Sequence, residues 1–347
     1  MMKILKSGNW KRKALWIPVA VTVILLGNDP WEVFPFVQYR RMYCSHDAVE
    51  SPYCNFSLFR TLEGNSRASA IAIGADGQTL VSGDRDKTIK VWELQTGKLK
   101  KTLRSDSGAI NALAIAPDGK TVVTGSGDRL VRIWDITSDR PPHIFRGHSG
   151  NVTHVDISSD GKTIISLDDG IDREIKVWDI ATGKQKATLP YSHFDDISPD
   201  SKTVLFTLPS SKLMAWDVTT NQQQVLQNFF SPSDIARISL DGQTLVSIKK
   251  TGKISFDVQV SDLKTGKIKA KQSFSRQIFR PFDMTVSSNF IIGSTPKGLM
   301  VWNLQTAELE AVLDREPEQM SRLVVSPDGK LLAGITRDSR IKVLQRP

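Results

Sequence analysis

The sequence predicts an all-β fold built from seven copies of a four-stranded unit, on three observations. A phrase typified by "TIKVWELQTGK" recurs, and its marker residue falls at positions 92, 134, 178, 216, 261, 302 and 344. A turn phrase typified by "APDGKT" keeps the same spacing, with its Asp at 76, 118, 160, 200, 241 and 328. No helical period of useful length occurs between residues 57 and 347.

Each copy is predicted to contain four short antiparallel strands. Asp-Gly between two apolar runs is a strong hairpin signal, because glycine tolerates a positive φ. The runs "SAIAIG" and "TLVSG" flank the first such turn, and "TGK" marks a second turn after the marker strand. Four strands at a spacing near forty residues are typical of the blades of a β-propeller. We therefore predict a seven-bladed β-propeller over residues 57–347.

The blades resemble WD40 repeats, because "SPDGK", "SGDRDKTIKVWE" and "FRGHSGNV" are similar to motifs of that family and keep register together. The resemblance covers all seven copies, and the turn wording is similar to bacterial, especially cyanobacterial, members. It implies a buried hydrogen-bonded set of His, Ser or Thr, Asp and Trp in a blade, since a buried Trp or His needs partners. The residues implied are His148, Ser166, Asp172 and Trp178 in the third copy, Ser82, Asp86 and Trp92 in the first, and Thr124, Asp128 and Trp134 in the second.

These sets are interpreted as structural, and the third is not taken as a catalytic triad. The fourth to sixth copies lack the Asp and most of the set. We expect those copies to form blades that are looser and depend more on apolar packing.

The chain ends at "RIKVLQRP", before the last copy can form an outermost strand. "SLFRTLEGNS", from Ser57 onwards, has the wording of the outer strands but no blade of its own. We predict that Ser57–Leu62 pairs with Arg340–Leu344 and closes the ring, which removes an open sheet edge.

The amino end predicts export. Residues 1–13 hold five basic residues and no acidic one, so that over half of the net charge of +9 comes from this leader. They precede the uncharged run "ALWIPVAVTVILLG" (14–27), which predicts a hydrophobic helix within a signal peptide or membrane anchor at residues 1–27. The run is shorter than a full span of roughly 20 residues. The positive-inside rule places the propeller on the extracytoplasmic side, periplasmic or lumenal.

Residues 28–56 are interpreted as a linker. They contain Cys44 and Cys54, the two cysteines of the chain. In an exported protein such a pair predicts a disulfide closing a small loop. Two free thiols are the alternative.

The predicted function is that of a non-catalytic, monomeric protein–protein interaction scaffold at or beyond a membrane, with assembly of a membrane complex as a special case. No zinc-spaced cluster, nucleophile motif or phosphate-binding loop occurs in the sequence, so no metal or cofactor is expected. The basic excess lacks the concentrated stripe that nucleic-acid binding requires. Two alternatives stay open: a propeller enzyme, a hydrolase or lyase with its site at the channel mouth, and a cytoplasmic WD40 adaptor.

The loops between second and third strands share basic residues. Because all such loops of a propeller lie on one face, we predict a ring of positive charge around the channel mouth that docks an acidic partner segment. The alternative is that a basic residue is ordinary at this position in the family. The predicted ring consists of Arg85, Lys87, Arg129, Arg173, Lys212, Lys249, Lys297, Arg337 and Arg340.

Overall fold

In the computed structural model, all the regular secondary structure of the described residues is β-strand. The described residues are 56–64, 67–171, 173–228, 234–251, 255–275, 283–295, 298–313 and 320–346. Within these segments no helix is long and apolar enough to cross a membrane. The predicted leader, its hydrophobic helix, and the predicted disulfide between Cys44 and Cys54 lie outside the described residues.

The described strands form seven antiparallel sheets of four strands each. In chain order they are β1 Ser57–Leu62, β2 Ala68–Ile73, β3 Thr79–Asp84, β4 Thr88–Glu93, β5 Lys98–Arg104, β6 Ile110–Ile115, β7 Thr121–Ser126, β8 Val131–Asp135, β9 His143–Phe145, β10 Val152–Ile157, β11 Thr163–Asp168, β12 Glu174–Asp179, β13 Gln185–Pro190, β14 His193–Ile197, β15 Thr203–Thr207, β16 Lys212–Asp217, β17 Gln222–Asn228, β18 Ile235–Ile238, β19 Thr244–Lys250, β20 Ser255–Asp262, β21 Ile268–Ser275, β22 Asp283–Val286, β23 Phe290–Thr295, β24 Gly298–Asn303, β25 Leu309–Leu313, β26 Met320–Val325, β27 Leu331–Thr336 and β28 Ile341–Gln345.

Six of the sheets use four consecutive strands, and we call them blades 1 to 6. They are β2 to β5, β6 to β9, β10 to β13, β14 to β17, β18 to β21 and β22 to β25. Blade 7 has the strand order β1, β28, β27, β26, so its outer strand comes from the other end of the described chain. The prediction of an all-β, seven-bladed propeller is confirmed.

The turn between the first and second strands of a blade is built by its Asp and Gly. In blade 1 the Asp76 Oδ1 accepts hydrogen bonds from the backbone N–H groups of Gln78 (2.9 Å) and Thr79 (3.1 Å). Gly77 has a φ of 64°, in the left-handed region where a side chain is disfavoured. This local geometry reverses the chain and fixes where the second strand begins.

Blades are held together by apolar residues from the faces of neighbouring sheets. Val81 and Ile89 of blade 1 share one buried cluster with Leu113 and Trp134 of blade 2. The second and third strands are therefore buried on both faces, and burial of each large apolar side chain contributes about 1.5–3 kcal/mol.

The first strand of each blade lies innermost and lines a central channel. Most of these inner strands contact their neighbours directly, from β2 to β6 to β10, from β14 through β18 and β22 to β26, and from β26 back to β2. Between blades 3 and 4, the rings of His154 and Phe194 lie 4.4 Å apart. The second and third strands are joined by turns on one face of this ring, and that face carries the candidate site.

The outer strand of blade 7 is β1, which pairs antiparallel with β28. Ser57 lies opposite Gln345 and Leu62 opposite Ile341, with a register shift between Leu58 and Arg60. The sequence places the partner strand at Arg340–Leu344, whereas the strand in the structure is Ile341–Gln345.

Candidate interaction face

The turns between second and third strands hold basic residues in a backbone conformation that few residues adopt. Lys87, Arg129 and Arg173 have φ values of 71°, 68° and 43°. Each lies at the same point of its turn, in blades 1, 2 and 3, and each side chain is exposed. We call the side of the ring that carries these turns the basic face.

Most of the predicted ring residues are exposed on this face. Those that are exposed are Arg85, Lys87, Arg129, Arg173, Lys212, Arg337 and Arg340. Two of these side chains are bonded within the protein: the Arg173 Nη1 donates to the carbonyl of Ser192 (2.6 Å), and Arg340 forms an ion pair with Asp338. Hydrogen bonds from Arg340 and Thr336 lower the pKa of Asp338 to about 2. Lys297 lies outside the described residues.

Lys249 does not belong to the exposed ring, contrary to the sequence prediction. Strand β19 continues through Lys249 to Lys250, so that Lys249 is buried at 8% exposure rather than placed in a turn. Its Nζ donates to the carbonyl of Asn228 (3.2 Å), and burial lowers its pKa. The strand is longer than the apolar pattern indicated, which moves the turn beyond Lys249.

Sequence reasoning missed an apolar side chain on the same face. Ile171 lies in the lengthened turn of blade 3 and is fully exposed. The preceding Asp169 accepts hydrogen bonds from the backbone N–H (2.8 Å) and side-chain amide (3.3 Å) of Asn151. The signal was available in the sequence, since blade 3 carries extra residues between Ser166 and Trp178.

The channel wall contains side chains that bond across blade boundaries. The Asn111 amide donates to the carbonyl of Val152 (3.3 Å), and the Ser201 hydroxyl donates to Asp156 Oδ2 (2.8 Å). The backbone N–H of Ile238 donates to Asp196 Oδ2 (2.7 Å). These bonds join blades 2 to 3, 3 to 4 and 4 to 5.

Burial shifts the titration of several channel groups. It raises the pKa of Asp156 and of Asp195 to about 7, and lowers the pKa of His154 to about 3. Such shifts are common at catalytic sites, but here Asp156 and Asp195 accept hydrogen bonds from Ser201 and Thr207 within the wall. Among the residues that the structure describes, no three His, Asp or Glu side chains are grouped so as to hold a metal ion.

Blade 3 contains a buried row of hydrogen-bonded polar side chains. The Trp178 Nε1 donates to Ser166 Oγ (2.7 Å), and His148 Nε2 lies 2.6 Å from the same oxygen. His148 Nδ1 lies 3.3 Å from Asp168 Oδ2. Asp168, not Asp172, is therefore the carboxylate beside His148, and Asp172 lies outside the described residues.

This row is structural. Asp168 also accepts hydrogen bonds from the backbone N–H groups of Ser149 (2.9 Å) and Gly150 (3.0 Å), so it fixes the loop that carries His148. Burial lowers the pKa of His148, whose side chain is 1% exposed, and Ser166 is fully buried. A Ser–His–Asp row without solvent access offers no nucleophile to a substrate.

Replacing Ser166 with alanine is expected to lower the free energy of unfolding by about 1–3 kcal/mol. The substitution removes the hydroxyl that accepts from the buried Trp178 Nε1 and that contacts the buried His148 Nε2, and it leaves both nitrogens without a partner. Urea unfolding of the full-length protein measures this change. Ser159→Ala, at an exposed position of the same blade, is the control and should change stability little. Equal stability of the two variants would contradict the structural role.

In blades 1 and 2 the Trp side chain donates a hydrogen bond to the Ser or Thr of the predicted set. The Trp92 Nε1 donates to Ser82 Oγ (3.0 Å), and the Trp134 Nε1 donates to Thr124 Oγ1 (2.9 Å). Asp86 accepts from the backbone N–H of Thr88 (3.1 Å) and so orders the turn.

Asp128 of blade 2 is bound by three side chains. Burial raises its pKa, but hydrogen bonds from Arg132, Ser126 and Ser107 outweigh that effect and lower the pKa to about 2. Asp128 is therefore a carboxylate whose charge is matched within its own blade.

Blade 5 builds a different buried set, which sequence reasoning missed. The Gln227 amide, from the outer strand of blade 4, donates to Ser261 Oγ (2.9 Å) and accepts from the Ser247 hydroxyl (3.1 Å). Ser261 occupies the Trp position of the repeat, so Gln227 spans the space that a Trp ring would fill. The sequence predicts that this blade depends mainly on apolar packing, and the structure adds these buried hydrogen bonds of Gln227.

Three segments of the chain match a family model, that of the WD domain, G-beta repeat, at residues 56–93, 97–135 and 139–179. Each segment runs from the outer strand of one blade to the third strand of the next. A comparison with curated protein sequences found no match.

The fold is similar to that of a solved structure described as "Structure of U3-55K". The TM-score is 0.67 at 16% sequence identity, covering 82% of this chain and 98% of that chain. An identity this low shows the fold alone. The chain therefore carries WD40 repeats within a seven-bladed, all-β propeller.

Proposed function

We propose that this protein is a non-catalytic interaction scaffold whose basic face docks an acidic segment of a partner protein. The observation that carries the proposal is the exposure of Lys87, Arg129 and Arg173 at equivalent turns around one face. Propellers with WD40 repeats are commonly protein-interaction scaffolds, which supports the same function class.

Two carboxylates in the turns of this face are paired with arginines of their own blades, so they do not neutralise the other cations. Asp338 pairs with Arg340, and Asp128 pairs with Arg132. Exposed cations beyond these pairs attract an acidic segment and orient it during approach. Exposed Ile171 adds an apolar contact beside them, of the kind that strengthens a polar interface.

We also propose that the scaffold is held at or beyond a membrane by residues 1–27 and acts in the assembly of a membrane complex. The support is the sequence alone: five basic residues followed by the uncharged run at 14–27. On this proposal Cys44 and Cys54 form a disulfide, and the propeller is a monomer on the extracytoplasmic side. The pairing of β1 with β28 is proposed to close the ring.

The test is quantitative affinity purification, after crosslinking, of the full-length protein from solubilised membranes. A triple charge reversal, Arg129→Glu with Arg173→Glu and Arg337→Glu, should reduce recovery of specific co-purifying proteins, because it replaces three exposed cations of the basic face with carboxylates that repel an acidic segment. The matched control reverses three exposed lysines of the turns on the opposite face, Lys98, Lys120 and Lys162. Equal recovery with both triple variants would refute docking on the basic face.

A further inference from the structure

Arg322 has an unusual backbone conformation for a residue within an inner strand. Its φ is 55°, and the register of β26 against β27 shifts between Ser321 and Val324. Four other inner strands carry a register shift, at Ser69, Asn111, Thr153 and Asp195, and none of these residues has a positive φ. Left-handed backbone costs a non-glycine residue of order 1 kcal/mol or more, so such an outlier directs attention to its side chain.

The bulge at Arg322 presents that side chain at the channel mouth. Leu323, the next residue, is buried and packs against Gly334, where an added Cβ would lie 3.0 Å from the Leu323 side chain. Arg322 points the other way and is exposed. Bulges re-aim side chains in this manner beside functional sites.

Arg322 and Arg85 line the same cavity, of about 370 Å³, at the channel mouth on the basic face. Arg85 belongs to the turn between the second and third strands of blade 1, and Arg322 belongs to the inner strand of blade 7, so two adjacent blades each contribute one guanidinium. The other side of the cavity is formed by blades 2 and 3, with Asn111, Asn151 and Asp169.

The neutral polar groups of this cavity are already bonded within the protein. Asn111 donates to the carbonyl of Val152, Asn151 donates to Asp169, and the Ser321 hydroxyl donates to the carbonyl of Ile335 (3.3 Å). Within the described part of the chain, no hydrogen bond or ion pair of the Arg85 or Arg322 side chain is found. The cavity therefore contains two guanidinium groups without a bonded partner among the described residues and one carboxylate, that of Asp169, whose hydrogen bonds come from neutral Asn151, so the net charge of its lining is positive.

We propose that Arg85 and Arg322 form a carboxylate-binding subsite at the channel mouth, which takes one Asp or Glu side chain of the partner's acidic segment. This inference rests on the proposed function and names the anchor point within the basic face. A guanidinium presents paired N–H donors that match the two oxygens of a carboxylate, and two of them compensate the cost of removing that carboxylate from water. The other cations of the face then set orientation rather than anchor the segment.

The test measures binding of a fluorescein-labelled hexaglutamate peptide to the full-length protein by fluorescence anisotropy. Arg322→Gln and Arg85→Gln should each weaken the affinity roughly tenfold, because each removes a charge-assisted hydrogen-bonding group. Arg322→Lys should recover only part of the affinity, since an ammonium cannot bind both oxygens in the same way. Lys98→Gln, at an exposed lysine on the opposite face, should change affinity less than twofold.

Arg322→Gly separates folding from binding. Glycine accepts the left-handed backbone at this position, so this variant should keep the thermal unfolding midpoint and still lose hexaglutamate binding. Retained binding in Arg322→Gly would overturn the proposal.

Three further outcomes distinguish binding at the Arg85–Arg322 subsite from binding elsewhere on the basic face, from phosphate binding and from an effect of net charge. If Arg129→Glu with Arg173→Glu abolishes hexaglutamate binding while Arg322→Gln and Arg85→Gln do not weaken it, the subsite is refuted and the proposed function stands. If inorganic phosphate at equal charge concentration binds and hexaglutamate does not, the site takes phosphate, and the carboxylate assignment is refuted. If Lys98→Gln weakens binding as much as Arg322→Gln, the affinity depends only on the net charge of the protein, and the subsite is likewise refuted.

Discussion

Deletion of Ser57–Leu62 is expected to lower the free energy of unfolding by at least about 3 kcal/mol, because loss of a buried leucine alone costs about 2–5 kcal/mol. Leu62 is 1% exposed and shares a cluster with Leu80 and Trp92 of blade 1 and Val343 of blade 7. The deletion removes the outer strand of blade 7 and also loosens the contact between the first and last blades. Urea unfolding of the full-length and deleted proteins, followed by tryptophan fluorescence, measures the difference.

Two substitutions within β1 make this prediction sharper. Leu62→Ala should cost about 2–5 kcal/mol, whereas Leu58→Ala, at a side chain that is 47% exposed, should stay within about 0.5 kcal/mol. Deletion should also expose the free edge of β28 and increase aggregation. If the two leucine variants unfold at the same urea concentration, β1 is not a structural part of blade 7.

Much of the fold could be predicted because the repeated phrases encode local geometry. Asp118 accepts hydrogen bonds from the backbone N–H groups of Lys120 and Thr121, both at 2.8 Å, and Gly119 has a φ of 66°. Each of these features depends on residues within three positions of the Asp. A turn of this kind can be inferred from four letters, and the seven copies of the marker phrase then determine the number of blades.

The carboxylate of blade 3 was harder to predict because the turn there is longer. In blades 1 and 2 the Asp of the set lies six residues before the Trp, and the same spacing before Trp178 leads to Asp172. The strand register, however, continues from Ser166 to Asp168, which pairs with Val152 and is fully buried. The extra residues extend outward and end in exposed Ile171, so the buried carboxylate is the one at the strand end.

The remaining features depend on contacts between distant parts of the chain. Gln227 reaches from blade 4 into blade 5, and its role is not visible in the sequence of either blade. Arg322 faces the channel mouth because of a bulge whose position depends on the pairing of β26 with β27. Periodicity identifies strands, but the aim of a single side chain follows from register and packing.

Asp195→Asn is expected to stabilise the protein at pH 8, by up to about 4 kcal/mol. Asp195 is 3% exposed on the channel side of blade 4, and its Oδ2 accepts a hydrogen bond from Thr207 Oγ1 (2.8 Å). Its Oδ1 is buried and has no hydrogen-bond partner in the described residues. Burial raises the pKa of Asp195 to about 7 from an ordinary value of 3.8, although Thr207 and Arg237 favour the charged form. A shift of one pKa unit corresponds to about 1.4 kcal/mol.

The sign of the effect follows from the raised pKa. Below pH 4 the carboxyl is protonated in both the folded and the unfolded chain, so Asp195 and an asparagine should differ little. Between pH 4 and pH 7 the unfolded chain releases this proton more readily than the folded protein, and the stability of the natural protein falls relative to the variant. Above pH 7 both states are ionised and the difference reaches its plateau.

The profile of stability against pH for Asp195→Asn should therefore separate from that of the natural protein across pH 4–7, as measured by urea unfolding at each pH. Asp160→Asn is the control of opposite sign. Hydrogen bonds from Ser158 and from the backbone of Lys162 lower the pKa of exposed Asp160, so its loss should destabilise the protein slightly above pH 4. Parallel profiles for Asp195→Asn and the natural protein would mean that water reaches Asp195 through the channel, because a hydrated carboxylate keeps its ordinary pKa.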